Sequence, residues 1–315
     1  MKVVIPGGSG QVGTLLARAF VADGHDVVVL SRGASSAHPW RVEGWDAKTV
    51  DGWAREIDGA DVVINLAGRN VNCRYTPANR AEILSSRVDS TRAVGEAIAR
   101  AERPPRVWLQ ASTATIYAHR FDAANDEQTG IIGGSEPDAP ASWRFSIEVA
   151  RAWERAVDEA ETPSTRKVKL RSAMVMSPDR GGIFDTLLGL VRRGLGGSAA
   201  GGRQYVSWMH DLDFIRAVRW LIEHEEMDGV VNLAAPGPLP YAGFMRALRE
   251  AAGVRIGLPA TRWMLALGAF AMRTETELVL KSRRVVPKRL LDAGFAFEFP
   301  RWPDAARDLV SRWPA

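Results

Sequence analysis

Cysteine, tyrosine and lysine are scarce in this 315-residue chain, and long apolar runs are missing. The single cysteine, Cys73, excludes an intrachain disulfide and gives an oxidising compartment no support. Only six of the 41 basic residues are lysine, and the arginines are scattered rather than set in a stripe with interleaved aromatics. Nucleic acid is therefore not an expected partner. The longest apolar tract, Trp263 to Met272 between Arg262 and Arg273, is far below the roughly 20 residues that span a bilayer. It predicts a buried or partner-facing helix and no membrane association. The five histidines fall in no HxH or HExxH spacing, so no metal site is expected. A G-x-S-x-G nucleophile elbow is also missing. Pro6-Gly7-Gly8 interrupts the first apolar run where a signal peptide would need continuity, which makes the cytoplasm the expected location.

What is present is an ordinary globular balance, 46% hydrophobic and 25% charged with a net charge of +4, in a chain long enough for a large core. The arrangement begins at Val3, Val4 and Ile5, which lead into Pro6-Gly7-Gly8-Ser9-Gly10-Gln11-Val12-Gly13 and an amphipathic segment with Leu15, Leu16, Ala19 and Phe20 at helical spacing. The segment predicts strand, glycine turn and helix. Gly7 and Gly8 permit a tight turn, Gly10 admits a pyrophosphate, and Gly13 lets helix and sheet approach. Gly7, Ser9, Gly10, Gln11, Val12 and Gly13 are accordingly predicted to hold a dinucleotide. Gly24 ends the helix and Val27 to Leu30 form a second strand.

At the end of that strand, where an Asp or Glu would bind the ribose 2′-hydroxyl of NAD, the chain has Ser31 and Arg32. Arg32 with Ser31 favours a 2′-phosphate and thus NADP over NAD, the alternative being a solvated surface arginine. Asp46, after a weak third strand, is a candidate acceptor for the adenine amino group. Asp61 to Gly68 (DVVINLAG) has the character of a buried parallel strand whose carboxyl end carries a ligand loop, placing Asn65, Leu66, Ala67 and Gly68 beside the cofactor.

Further along, a helix is predicted over 80–100 and a strand over 106–111 with Ser112 and Thr113 at its end, Tyr117 following. The Gly- and Pro-bearing stretch 119–141 predicts a long loop over the site. Ser142 is a candidate cap for a helix in which Trp143, Ile147, Ala150, Glu154 and Val157 share one side, and a strand follows over 168–176. After a glycine-rich excursion, a helix over 210–223 and a strand over 230–234 return to the main sheet. The run Lys281, Arg283, Arg284, Lys288 and Arg289 is most simply a solvated helix face. Alternating strands and helices predict an α/β fold with a doubly wound parallel sheet and ligand at the strands' carboxyl ends. The predicted division is 1–178 with 210–237 as the dinucleotide-binding domain, and 179–209 with 238–315 as a smaller domain.

GGSGQVG at the first turn, NLAG after strand four, Ser112 after strand five and the segment ending at Pro178 resemble the extended, sugar-nucleotide-epimerase-like branch of the short-chain dehydrogenases/reductases. The segments SRVDSTRAV from Ser86, RAWERA from Arg151, GGRQYVSWMHDLD from Gly201 and KSRRVVPKRLLDAGFAFEFP from Lys281 resemble an atypical subgroup with an extra C-terminal domain of unassigned function. The resemblance spans essentially the whole chain and implies a Rossmann-type sheet with a smaller, mainly helical C-terminal substrate domain. It also implies a Ser and a Tyr-x-x-x-Lys pair, and here the chain departs: Tyr75, Tyr117, Tyr205 and Tyr241 are followed at the fourth place by Asn79, Phe121, Met209 and Met245. On the corresponding helix, neither Phe145 with Val149 nor Ser146 with Ala150 carries the pair.

Ser112 and Tyr117 remain as candidate catalytic residues, with Thr113 and Glu148 nearby. Tyr117 could equally be a wall or core tyrosine, since a tyrosine lacking the lysine stays near its reference pKa of roughly 10. Arg203, Trp208 and His210 match the subgroup segment facing the domain cleft; Arg203 is a candidate for a diphosphate or carboxylate, or for a structural ion pair. The expectation is an NADP-dependent oxidoreductase or epimerase-like enzyme, monomeric or homodimeric, acting on a small or nucleotide-linked substrate. The alternative is a sensor that binds NADP without turnover.

Overall fold

The computed structural model describes residues 1–33, 38–137, 139–261 and 276–314. The apolar tract 263–272 lies outside these residues. Short apolar runs rich in valine form the central strands, because β-branched side chains suit a sheet covered on both faces. These are β1 (Lys2–Pro6), β2 (Asp26–Ser31), β3 (Arg41–Gly44), β4 (Val62–Asn65), β5 (Val107–Thr113) and β6 (Arg166–Ser172). Two short strands, β7 (Met174–Met176) and β8 (Tyr205–Val206), precede β9 (Trp208–His210), then β10 (Gly229–Leu233) and β11 (Leu239–Pro240). Seven strands make one parallel sheet in the order β10-β6-β5-β4-β1-β2-β3. The chain reverses direction across the sheet between β1 and β4, which opens a crevice at their carboxyl ends.

Alternation along the strands divides the core. Val3, Ile5, Val62, Ile64 and Leu109 face α1 (Gln11–Ala22) and α5 (Asp211–Glu223), meeting Leu16, Phe20, Phe214 and Leu221. Val4, Val28, Val63 and Trp108 point the other way, onto α2 (Pro77–Arg100) and α3 (Arg144–Asp158) through Val94, Ile98 and Val157. A separate cluster joins α4 (Ile183–Arg192), α6 (Tyr241–Ala251) and a late helix, Trp302–Arg312, around Phe184, Trp208, Phe244 and Trp302. Among the described residues, two short helices lie between α6 and that late helix, α7 (Glu277–Leu280) and α8 (Lys288–Asp292), and the late helix is numbered α9. No helix among the described residues is long and apolar enough to cross a membrane.

Four expectations are corrected. Helix α3 starts after one 3-10 turn, with Trp143 rather than Ser142 at its N-cap and no side-chain cap bond. The predicted strand over 168–176 breaks at Ala173, whose N–H donates to Leu233 O; β7 leaves the main sheet and pairs with β9. The basic run from Lys281 is no solvated helix face, since Lys281 is 2% exposed and its ammonium donates to Thr115 O at 2.7 Å. Trp208 and His210 also turn inward instead of facing a cleft. The Trp208 indole stacks edge-on against Trp302, and His210 caps α5 by accepting the Leu212 N–H on Nδ1.

Its Nε2 lies 2.9 Å from Asp308 Oδ2 and 3.1 Å from the Arg312 guanidinium, and its Nδ1 lies 3.1 Å from Asp211 Oδ1. Burial outweighs the neighbouring Asp211 and Asp308 carboxylates and holds the His210 pKa below its ordinary value. The unfolded chain therefore binds a proton that the folded chain refuses, so this term is fully stabilising above about pH 6.5 and is lost as pH falls through the folded-state value. Chemical denaturation at descending pH should show wild-type stability falling below about pH 6.5 by at most about 1.4 kcal/mol per pH unit from this group. His210→Gln should remove that component; an identical pH profile would refute the assignment.

Candidate active site at the carboxyl edge of the sheet

The turn after β1 is built by close backbone approach. Gly7 has φ +73°, and a Cβ on it would stand 2.5 Å from Ala67 Cα, at the end of β4. A Cβ on Gly13 would stand 2.4 Å from Gly8 Cα, so helix α1 can sit against the turn only with glycine there. Gly10 differs, with open space for 4 Å around the Cβ it lacks. It precedes α1 without a side-chain cap, and no acid occupies the first turn. The positive end of α1 thus opens on the crevice, the arrangement that receives a pyrophosphate. Ser9 and Gly10 are exposed and Val12 packs partly on the core. The Gln11 amide reaches Gly182 before α4, and its Nε2 has no hydrogen-bond partner among the described residues.

The next strand ends line the same crevice unevenly. Arg32 is exposed at the end of β2 beside Ser31, whose Oγ accepts the Gly33 N–H at 3.3 Å. Asp46 is engaged differently from the expectation. Its carboxylate accepts the Lys48 and Thr49 N–H groups and the Thr49 hydroxyl, which hold its pKa below the usual range, so it forms the turn 46–49. Asn65 is fully buried, donating to Gln110 Oε1 at 3.0 Å and accepting the Ala67 N–H at 3.1 Å. Its side chain shapes the loop that follows, in which Leu66 is half-buried, Ala67 buried and Gly68 exposed.

Both candidate catalytic residues turn into the interior. Ser112 Oγ donates to Glu154 Oε1 at 2.6 Å, and Glu154 pairs with Arg171 through two bonds of 2.8 and 2.7 Å. The Tyr117 hydroxyl donates to Asn232 Oδ1 at 3.0 Å, its ring lies under the Arg171 guanidinium at 4.9 Å, and it is 2% exposed. Burial pushes its pKa up. The 3-10 turn Ala114–Ile116 carries the chain back into the core just before Tyr117, whose ring packs with Ile116, Ala150 and Val285. Glu148 is exposed, and so is Arg203.

Other residues fill the space that those two leave. Phe145 and Val149 pack with Ile83 of α2 and with Val71, Cys73 and Tyr75 of the loop after β4, the Tyr75 ring standing edge-on to Phe145 at 5.2 Å. Arg87 of α2 lies against Gly68, where a Cβ would stand 3.1 Å from its guanidinium carbon. That guanidinium donates to Ile83 O at 3.0 Å, covers the Trp153 ring at 5.0 Å and is pushed down to about 10 by burial. From the late chain, Glu277 accepts the Ser146 hydroxyl at 2.6 Å, and Arg283 Nε donates to Thr115 Oγ1 at 3.1 Å. Burial likewise pushes Lys281 down to about 8. Nothing local in the sequence marks Tyr75 or Glu277 as neighbours of Phe145 and Ser146.

The model of the NAD-dependent epimerase/dehydratase family matches residues 3–234, and a domain of unknown function, DUF1731, matches residues 260–309. The chain belongs to this epimerase/dehydratase family. The epimerase family protein SDR39U1 of Bos taurus is 32% identical, covering 99% of this chain and 100% of the relative. The crystal structure of human SDR39U1 with NADPH superposes with a TM-score of 0.85 at 28% identity, over 99% of this chain and 100% of that one. A nucleoside-diphosphate sugar epimerase from Corynebacterium glutamicum gives 0.73 at 25% identity, over 98% of this chain and 58% of its own. In this chain helix α3 offers Phe145 and Val149 to the loop after β4, and Ser146 to Glu277, with neither tyrosine nor lysine on that helix.

The turn's geometry separates its glycines. Gly13→Ala should cost about 1–3 kcal/mol by overpacking, whereas Gly10→Ala should change stability by less than about 0.5 kcal/mol. Thermal denaturation of both variants checks this, and an equal loss in the two would contradict it.

Proposed function

We propose that this chain is an NADP-dependent oxidoreductase or epimerase-like enzyme of the extended short-chain dehydrogenase/reductase type, acting on a small, nucleotide-linked substrate. The observation that carries the cofactor assignment is the open, uncapped start of α1 behind Gly10, with exposed Arg32 standing where an NAD-specific acid would be. The residues present fit that group. Gly7, Gly8 and Gly13 bring backbone close, Ser9 to Val12 offer N–H groups to the pyrophosphate, and Leu66 to Gly68 line the crevice. Arg32, with Ser31, pairs with the adenosine 2′-phosphate. The bound dinucleotide supplies or accepts hydride at its nicotinamide. The likeness to a nucleoside-diphosphate sugar epimerase supports the substrate class.

In this reading the substrate lies between the sheet's carboxyl edge and the smaller lobe built from 179–209 and 238–315. The protein works in the cytoplasm as a monomer or homodimer. A second reading, an NADP sensor without turnover, is favoured by the lack of a titratable group at Phe145, Val149, Ser146 and Ala150. Substrate-dependent oxidation of NADPH across a panel of carbonyl compounds and nucleotide sugars separates the two. A sensor gives saturable binding alone.

Calorimetry tests the cofactor. NADPH should bind more tightly than NADH, and Arg32→Ala should weaken NADPH by about 10- to 100-fold, the worth of a charge-assisted hydrogen bond. NADH affinity should stay unchanged. Equal loss for both dinucleotides, or no binding of NADPH at all, would overturn the assignment.

A further inference from the structure

Arg87 stands on the face of α2 that meets α3, and its contacts leave one edge of the guanidinium unused. Nη1 donates to Ile83 O at 3.0 Å, and the flat of the group covers the Trp153 ring of α3 at 5.0 Å. Nε and Nη2 have no protein acceptor among the described residues, and neither nitrogen is shut off from solvent. Those two N–H groups form the edge that grips a carboxylate side-on, as Arg171 grips Glu154 through Nε at 2.8 Å and Nη2 at 2.7 Å. Nearby arginines are already engaged: Arg80 donates from Nε to Tyr75 O at 3.0 Å, and Arg69 pairs with Glu82 and Asn79. Among the described residues no carboxylate acts on Arg87, so its half-buried charge lacks a counter-ion and bears a cost in solvation that a bound oxyanion offsets.

The loop after β4 sets where this free edge lies. A Cβ on exposed Gly68 would stand 3.1 Å from Arg87 Cζ, and the residue before it, Ala67, is the one that the Gly7 turn meets. The guanidinium thus sits one residue beyond the glycine turn, next to the apolar group of Ile83, Phe145 and Val149. We propose that Arg87 is a specificity-determining residue that binds a carboxylate on the substrate, held over Gly68 beside the dinucleotide. The proposal rests on the oxidoreductase reading above and narrows its substrate to an acid. One guanidinium edge supplies two parallel N–H groups and a single charge, which match the two oxygens and single charge of a carboxylate. In that reading the dinucleotide's phosphates have their own partners, the start of α1 and Arg32. Binding the acid end fixes the orientation of the substrate, whereas a neutral analogue leaves the guanidinium unpaired.

Chemical labelling tests the site before any substrate is known. Phenylglyoxal should modify Arg87 in the NADPH-loaded protein, read by peptide mass mapping, and acetate should slow that modification saturably where chloride at equal ionic strength does not. Turnover then reads specificity. Among carbonyl compounds that wild type reduces, carboxylates should exceed their methyl esters in kcat/KM. Arg87→Met should cut that preference by about 10- to 100-fold, and Arg87→Lys should keep part of it. If Arg87 only braces α2 against α3, Arg87→Met lowers the melting temperature and leaves the acid-to-ester ratio unmoved, which would overturn the proposal. So would labelling that acetate does not slow, or labelling slowed more by inorganic phosphate than by acetate. Arg87 left unlabelled in the loaded protein would do the same, its guanidinium then being closed off or taken by the dinucleotide. If wild type binds no NADPH, the oxidoreductase reading fails instead, and labelling of the cofactor-free protein still reports whether Arg87 takes a carboxylate.

Discussion

The approach of the turn after β1 to the end of β4 is the contact on which the site depends. Gly7 and Ala67 meet where the sheet's strand order reverses, at a distance that no side chain on Gly7 could share. Gly13 repeats the device between helix and turn, seating α1 so that its open end faces the crevice. Binding at such an edge follows from backbone dipoles and space more than from any side chain. For this reason the cradle makes no demand on helix α3, which carries neither tyrosine nor lysine.

Beyond the cradle, electrostatics divides the carboxyl edge into a neutralised interior and a positive recess. Behind the sheet, Ser112, Glu154 and Arg171 satisfy one another, and Arg171 also covers the Tyr117 ring. Breaking such a buried pair would strand a charge, so these residues hold β5, β6 and α3 in register. In front, the Glu277 carboxylate acts on Lys281 and Arg283, Glu136 also acts on Lys281, and Arg87 lies over the Trp153 ring. Burial lowers the pKa of Arg87 and Lys281, which marks a recess where cations are held at a cost in solvation. The segment matching DUF1731 supplies Lys281 and Arg283. That segment thereby completes the edge of the sheet.

Much of the scaffold was legible because its signals are local. Valine-rich runs gave β1, β2 and β4 nearly to the residue, and Gly24, with φ +79°, stands just beyond the end of α1 as its position suggested. Helix α2 begins slightly earlier than its apolar spacing indicates, because Thr76 caps it and Pro77 fits its first turn. Ser142 failed as a cap since a 3-10 turn displaced the start of α3 to Trp143. Side-chain direction was the weaker inference. Ser112, Tyr117 and Asn65 are in the neighbourhood that the strand ends define, yet each spends its polar atoms on the interior.

By itself the sequence determined a parallel doubly wound sheet, a glycine cradle and a basic strand end at Arg32, all written in runs of neighbouring residues. It also determined what is missing, a tyrosine with lysine four places on. Only the tertiary structure decided what stands in that gap, because Tyr75, Ile83, Phe145 with Ser146, and Glu277 come from four separated segments. Their meeting depends on how α2, α3 and the late chain pack on the sheet, and no local periodicity encodes such a juxtaposition. The same packing withdrew Tyr117 from solvent, turning a plausible acid into a core hydrogen bond.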